Sequence, residues 1–230
     1  MTDQVHKGHR QRLRDRFNNS GLDSMEDHTA LELLLCYAIP RKDVNRLAHA
    51  LLDTFGSLSA VLEADRTALE QVPGMGENAA TLLKLIPAMN RRYLMDRTQA
   101  GKKVSLRTAA EAGEFFLPRF YGAREEKVYA AFLDEHCRLL ACQEVFEGGV
   151  GYAPVNIRKL VEAALRLKAA CIILAHNHPD GYAVPSREDW ESTRIVSSSL
   201  AAVQLRLLDH IIVAGDEYVS MEECGYFKNE

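Results

Sequence analysis

Apolar residues along the chain change their period about a hundred residues in. Before that point they recur every three or four positions. HRQRLRDRF sets Leu13 and Phe17 four apart, as on one helix face, and ALELLLCYAI runs on until Pro40. VNRLAHALLDTFGSL places apolar side chains at 44, 47, 48, 51, 52 and 55, with Gly56 where a helix would end. DRTALEQVPGMG predicts a short helix entering a turn. ENAATLLKLIPAMNRRYLMDR predicts a longer helix bent at Pro87. The polar stretch 96–108 holds Gly101-Lys102-Lys103 and predicts a linker, set at 98–107, between a helical domain over 1–97 and a second domain over 108–230.

Beyond the linker, strands enter the pattern. TAAEAGEFFLPRF predicts a short helix. KVYAAFLD and RLLACQEVF predict a hairpin turning at Asp134–Cys137. After the glycine-rich EGGVGY, NIRKLVEAALRLK predicts an amphipathic helix and CIILAH a buried strand. SREDWESTRIVSSSLAAV predicts a further helix, and LLDHIIVAG and EYVSM predict closing strands. Strand, helix and strand mixed with hairpins predict an α/β (α+β) sandwich behind an all-α domain.

Composition narrows the class. Of the 230 residues, 47% are apolar, enough to bury a core, and 26% are charged. The net charge of −4 is unevenly spread. Residues 1–103 carry 15 Lys and Arg against 13 Asp and Glu, whereas residues 104–230 carry 13 against 19. A polyanion contact is therefore expected in the first half if anywhere. Cysteines 36, 137, 142, 171 and 224 form no C-x-x-C pair, which fits reduced thiols. The start MTDQVHKGHRQR has no apolar signal core, and no apolar run approaches a membrane span. The expectation is a cytoplasmic protein without a membrane contact.

Two short stretches carry candidate chemistry. In VPGMG, Gly74 and Gly76 bracket one apolar residue between helices, a turn that can aim backbone N–H groups at a phosphate. A tight helix–helix turn with no ligand explains the same letters. Lys7, Arg10, Arg12, Arg14 and Arg16 add positive charge to the DNA reading, while Glu77 and the modest charge of the first half subtract from it.

The second stretch is CIILAHNHPDGYAVPSREDW. Residues i and i+2 of a strand share a face, so His176 and His178 can reach one ion. The Pro-Asp-Gly turn returns the chain to a helix beginning near Ser186, which offers Asp189 one turn in. Taken singly, these pieces are ordinary: Ser186-x-x-Asp189 is a capping box, and Pro179 and Gly181 are turn residues. Together, two imidazoles and a carboxylate make an open, catalytic type of zinc site. A proton acceptor is also needed. Glu125, Glu126, Glu144 and Glu147 all qualify, and spacing does not choose among them. His210 is read as a strand-start residue with its ring hydrogen-bonded, outside the metal set. His136 is read as solvated, Trp190 as packing, and Asp180 as a turn residue. HNH nucleases take their name from dispersed residues, so the contiguous tripeptide does not indicate one.

HNHP followed after six residues by S-x-x-D resembles the JAMM (MPN+) metallohydrolase signature. AFLD, ILAHNHP-x-G, PSREDWESTR, LLDHIIV and YVS together resemble the RadC family, and VPGMG is similar to that family's helix-hairpin-helix region. The resemblance implies a three-layer JAMM/MPN-like domain with a mixed sheet. It implies one zinc per chain on His176, His178 and Asp189, with Glu126 as general acid/base and Ser186 as oxyanion donor. The implied activity is metalloprotease or isopeptidase hydrolysis of an unknown protein or peptide, in which zinc-bound water attacks an amide carbonyl. The alternative is a DNA-binding repair or recombination protein whose metal domain is regulatory or inactive. The chain departs from the family pattern at Asp180 and at Gly149-Val150-Gly151-Tyr152, so substrate choice is left open.

Overall fold

The computed structural model describes residues 2–99, 104–145, 156–179 and 181–225. Its contacts divide the chain into two compact units, 1–90 and 91–230. The first unit is all helical: α1 (Thr2–Ser20), α2 (Asp27–Ala38), α3 (Asn45–Phe55), α4 (Leu58–Glu63), α5 (Arg66–Glu70) and the start of α6 (Glu77–Gln99). Leu31, Leu35, Leu47, Leu51, Val61, Leu69 and Leu83 form its core. α3 stops where Gly56 takes a left-handed backbone, and α4, which the sequence pattern did not separate, starts at a Ser57 cap. α6 runs on through Pro87. One missing N–H bond does not end a helix of this length. Inside the unit, buried Glu32 accepts from Asn45 at 2.9 Å and lies 2.8 Å from His9 Nε2.

Beyond α6, the second unit continues with residues 104–106, which pair with the hairpin end through Leu106 N–Cys137 O and Leu139 N–Val104 O. It continues as α7 (Ala109–Phe120), β1 (Val128–Leu133), β2 (Leu139–Glu144), α8 (Ile157–Leu167), β3 (Cys171–Asn177), α9 (Arg187–Ala201), β4 (Arg206–Ala214) and β5 (Glu217–Ser220). The strands form one mixed sheet in the order β2-β1-β3-β4-β5. β3 and β4 are parallel and the other neighbours antiparallel.

Strand parity sorts the sheet into two faces. Ala131, Leu133, Ile173, Ala175, Ile211 and Val213 pack with Phe115, Phe116 and Phe120 of α7. Ala130, Phe132, Ile172 and Leu174 pack with Leu160 and Ala164 of α8 and Val196 and Leu200 of α9. The result is the three-layer α/β architecture that the sequence suggested. Gly113 is essential to the first layer, since a Cβ there would run into the Tyr218 ring of β5. β3 is buried along its whole length, as a central strand covered on both faces should be. Among the described residues, no helix is long and apolar enough to cross a membrane.

Candidate metal centre

β3 ends at the site. His176 has the parity of Ile172 and Leu174, so its ring leaves the sheet on the α9 side. His178 lies just past the strand end, where its N–H still bonds Val213 O at 2.8 Å and holds the backbone in line. α9 begins at Ser186, whose side chain accepts from Asp189 N at 3.1 Å, while Asp189 Oδ2 accepts from Ser186 N at 2.7 Å. The capping box is therefore real, and it also aims Asp189. The second oxygen of that carboxylate is free to face the histidines.

These three side chains converge. His176 Nε2 lies 3.0 Å from His178 Nε2 and 3.0 Å from Asp189 Oδ1, and His178 Nε2 lies 3.3 Å from Asp189 Oδ2. Bonds of about 2.0–2.1 Å to a tetrahedral ion put neighbouring ligand atoms about 3.3–3.4 Å apart. The observed edges are close to that figure, and the trio is a group that could hold a metal ion. An N/N/O donor set with the His178 side partly open to solvent suits a divalent cation that keeps a position for water.

Electrostatics make the same demand for positive charge between these atoms. Burial would raise the Asp189 pKa, but hydrogen bonds to His176 and His178 outweigh it and hold the carboxyl far below the usual range. The Asp189 hydrogen bond in turn raises the His178 pKa. A proton there occupies the place a cation would take. His178 Nδ1 is 3.0 Å from the Tyr182 carbonyl, which can only accept, so the ring's other hydrogen is on Nδ1 and Nε2 faces Asp189.

Glu126 is not one of the three clustered groups. It sits exposed just before β1, and its charge contributes to the raised His178 pKa. Its neighbours are held by the residue between the two histidines. Asn177 Oδ1 accepts from Lys127 N at 2.8 Å, and Asn177 Nδ2 donates to Glu125 O at 3.1 Å. The side chain of Asn177 thus clamps the backbone on both sides of Glu126. Its parity turns it away from the histidines, as the sequence implied, but that direction has a use that sequence reading missed. The other acids divide differently. Glu144 is engaged by Lys127 Nζ and Tyr129 Oη at 3.0 and 3.2 Å. Glu147, Asp180 and the loop 149–152 lie outside the described residues.

Ser186 also gives its hydroxyl proton to Asp189 Oδ2 at 2.7 Å. Donation to an oxyanion would require the hydroxyl to rotate off that carboxylate. His136 is exposed, as expected, and Trp190 is partly exposed on α9. His210 differs from expectation. β4 begins at Arg206, pairing with Cys171, so His210 falls inside the strand rather than at its start. It is buried, and its Nε2 lies 2.8 Å from His176 Nδ1. Burial, with the neighbouring His176, drives its pKa well below the ordinary value, so the ring is neutral.

In the helical unit, Gly74 adopts φ 99° in the turn between α5 and α6, a backbone that favours glycine, and nothing crowds Gly76. Glu77 opens α6 and pairs with Arg66 at 2.9 Å. Arg10 is committed to the carbonyls of Cys36, Ile39 and Lys42 at the end of α2, and Arg16 to that of Ser24. Part of the basic cluster is thereby used within the fold. The Lys7 side chain lies outside the described part.

The model of the family described as RadC-like JAB domain matches residues 106–226. Relatives match across nearly the full length. A UPF0758 protein of Ruegeria pomeroyi is 36% identical over 221 residues, spanning 96% of this chain and 97% of its own. A UPF0758 protein of Fusobacterium nucleatum is 33% identical over 230 residues, spanning 98% and 99%. One from Polaromonas sp. is 35% identical over 215 residues, spanning 93% and 95%.

Proposed function

The chain belongs to the RadC family of UPF0758 proteins, and from that premise we propose that it is a zinc-dependent hydrolase of the metallopeptidase or isopeptidase type. The convergence of His176, His178 and Asp189 at near-tetrahedral spacing carries the reading. Zinc held there would supply Lewis acidity and lower the pKa of a water toward about 7.

The chain's own residues do the rest. Asp189 and the two imidazoles would hold the ion through a carboxylate oxygen and the Nε2 atoms. Glu126, whose charge contributes to the raised His178 pKa, takes the proton from the attacking water and hands it to the nitrogen of the leaving amine. Asn177 keeps the Glu126 backbone in place beside the site. Ser186 orients Asp189 in the resting site and turns its hydroxyl toward the carbonyl oxygen as charge develops there. The substrate is a protein or peptide amide.

The test pairs two substitutions with two readouts. His178→Ala is expected to lose zinc and hydrolysis. Glu126→Gln is expected to keep zinc and lose hydrolysis of a peptide and isopeptide library followed by mass spectrometry. Cleavage that survives Glu126→Gln, or zinc that survives His178→Ala, would overturn the assignment.

A further inference from the structure

The helical unit carries apolar surface that its own core does not cover. α2 is apolar on three sides. Leu31 and Leu35 face the core, Leu33 packs with Leu13 of α1, and Leu34 and Tyr37 line a groove of about 270 Å³ that Phe17, Leu62 and Ile86 also wall. A helix that is apolar all round is normally buried all round. The Tyr37 hydroxyl is the only polar side-chain group among the described residues that line the groove. α6 has a second apolar face as well. Ala79, Ala80 and Leu83 pack inward, while Leu82, Leu85, Ile86 and Met89 follow the i, i+3, i+4, i+7 spacing of a helix stripe. Ile86 belongs to both features, so the groove and the stripe share one surface.

On that surface Phe17, Leu22, Tyr37, Leu85, Ile86 and Met89 are between 36% and 67% exposed. Half of about 150–200 Å² for each of these side chains leaves about 450–600 Å² of apolar area. A typical monomer exposes at most about 300–600 Å² in one patch. A stable interface takes about 800 Å² from each partner, of which about 57% is apolar, hence about 450 Å². The patch is therefore the size that one side of a dimer needs. The cations next to it in sequence are drawn into the fold. The Ser24 carbonyl accepts from Arg16, and the Leu62 and Glu63 carbonyls accept from Lys84 at 3.1 and 3.0 Å. These cations thus bring little repulsion to a meeting of two such faces.

We propose that this face is a homodimer contact, in which a second copy of the chain lays its α6 stripe into the groove and receives the first copy's stripe in its own. The shape favours a second copy over another partner, because the projecting element and the cavity that fits it lie side by side on one chain. A two-fold axis beside Ile86 satisfies both at once, with Met89 of each copy entering the groove of the other. A groove of this volume takes roughly two aliphatic side chains at interior packing density. Leu85 and Met89, four apart on α6, are neighbours on one face and supply them. The contact lies wholly within the helical unit, residues 1–90, and does not depend on the metal site.

The experiment follows the full chain by analytical ultracentrifugation over a range of concentrations. Wild type at about 10 μM is expected to sediment mainly as a dimer, since interfaces of this size bind at micromolar strength or tighter. Met89→Glu alters a half-exposed side chain, so it should fold with an unchanged circular dichroism spectrum. Because the change occurs twice in each dimer, association should weaken at least about 100-fold. Met89→Leu should keep the dimer. Ile195→Glu, at a comparably exposed apolar position on α9, should keep it too. Should Met89→Glu not fold, Tyr37→Glu in the groove makes the same comparison. The proposal is overturned if wild type stays monomeric at about 100 μM. It is equally overturned if the folded glutamate variant dimerises like wild type, or if only Ile195→Glu breaks the dimer. A monomer that binds a fluorescent fatty acid, with binding lost in Tyr37→Glu, would overturn it by giving the groove to a small apolar ligand.

Discussion

Replacing Asn177 with alanine should loosen the segment that carries Glu126 without disturbing the metal ligands. The side chain is 3% exposed and makes two bonds, to Lys127 N at 2.8 Å and Glu125 O at 3.1 Å. Each such bond contributes about 1 kcal/mol net. The two backbone groups left behind are partly accessible, so water can satisfy them and no further large penalty is expected. The loss is thus about 2 kcal/mol. For a unit of this size it lowers Tm by about 4–8 °C. Trp190 is the chain's single tryptophan and lies on α9, so its fluorescence reports on the second unit. Asn177→Asp should cost about as much, because it keeps the acceptor for Lys127 N–H but sets a carboxylate oxygen against the Glu125 carbonyl. Zinc affinity should stay at the wild-type level in both variants while hydrolysis falls. Unchanged melting of Asn177→Ala would refute the clamp. A zinc loss as deep as that of His178→Ala would show that Asn177 serves the ligands instead.

Other outcomes follow from the same structure. The Asp189 hydrogen bond raises the His178 pKa above 6.5; a raised folded value adds stability that is present below the unfolded pKa and lost as pH rises through the folded one. In chelator, Trp190-monitored stability should therefore fall as pH climbs past about 6.5, and with saturating zinc the slope should reverse because the ion needs the ring unprotonated. Gly113→Ala drives a methyl into Tyr218 and should destabilise the second unit by about 1–3 kcal/mol in urea unfolding, with no change expected only if α7 can lift off β5. A low-salt gel shift with duplex, branched and single-stranded DNA tests the turn at Gly74 and Gly76. Any binding through that turn would weaken steeply with salt, be lost in Gly74→Val and be unaffected by His178→Ala.

Much of the second unit was legible because its signals were local. The Asp134–Cys137 turn, the parity of His176 and His178 and the Ser186 cap each depend on neighbours within a few residues. What escaped depends on pairing between distant segments. LLDHIIV gives no sign that β4 starts at Arg206, so His210 read as a strand-start residue, although it lies inside the strand in register with Leu174. The role of Asn177 is invisible locally because its partners, Glu125 and Lys127, are some fifty positions earlier in the chain. A polar residue inside a strand otherwise buried throughout was the available clue, since burying an amide is costly unless both its ends are bonded. Arg10 and Arg16 read in sequence as part of a basic run, and their bonds to the carbonyls of Ile39 and Ser24 depend on segments further along the chain.

Metal content tests the central claim most directly. The full chain and its His178→Ala and Asp189→Ala variants would be purified from zinc-supplemented medium, dialysed, and measured by inductively coupled plasma mass spectrometry alongside a zinc titration. One zinc per wild-type chain and little in either variant is the result expected from the converging His176, His178 and Asp189. A wild-type chain that binds no zinc, or variants that bind as much as wild type, would contradict it.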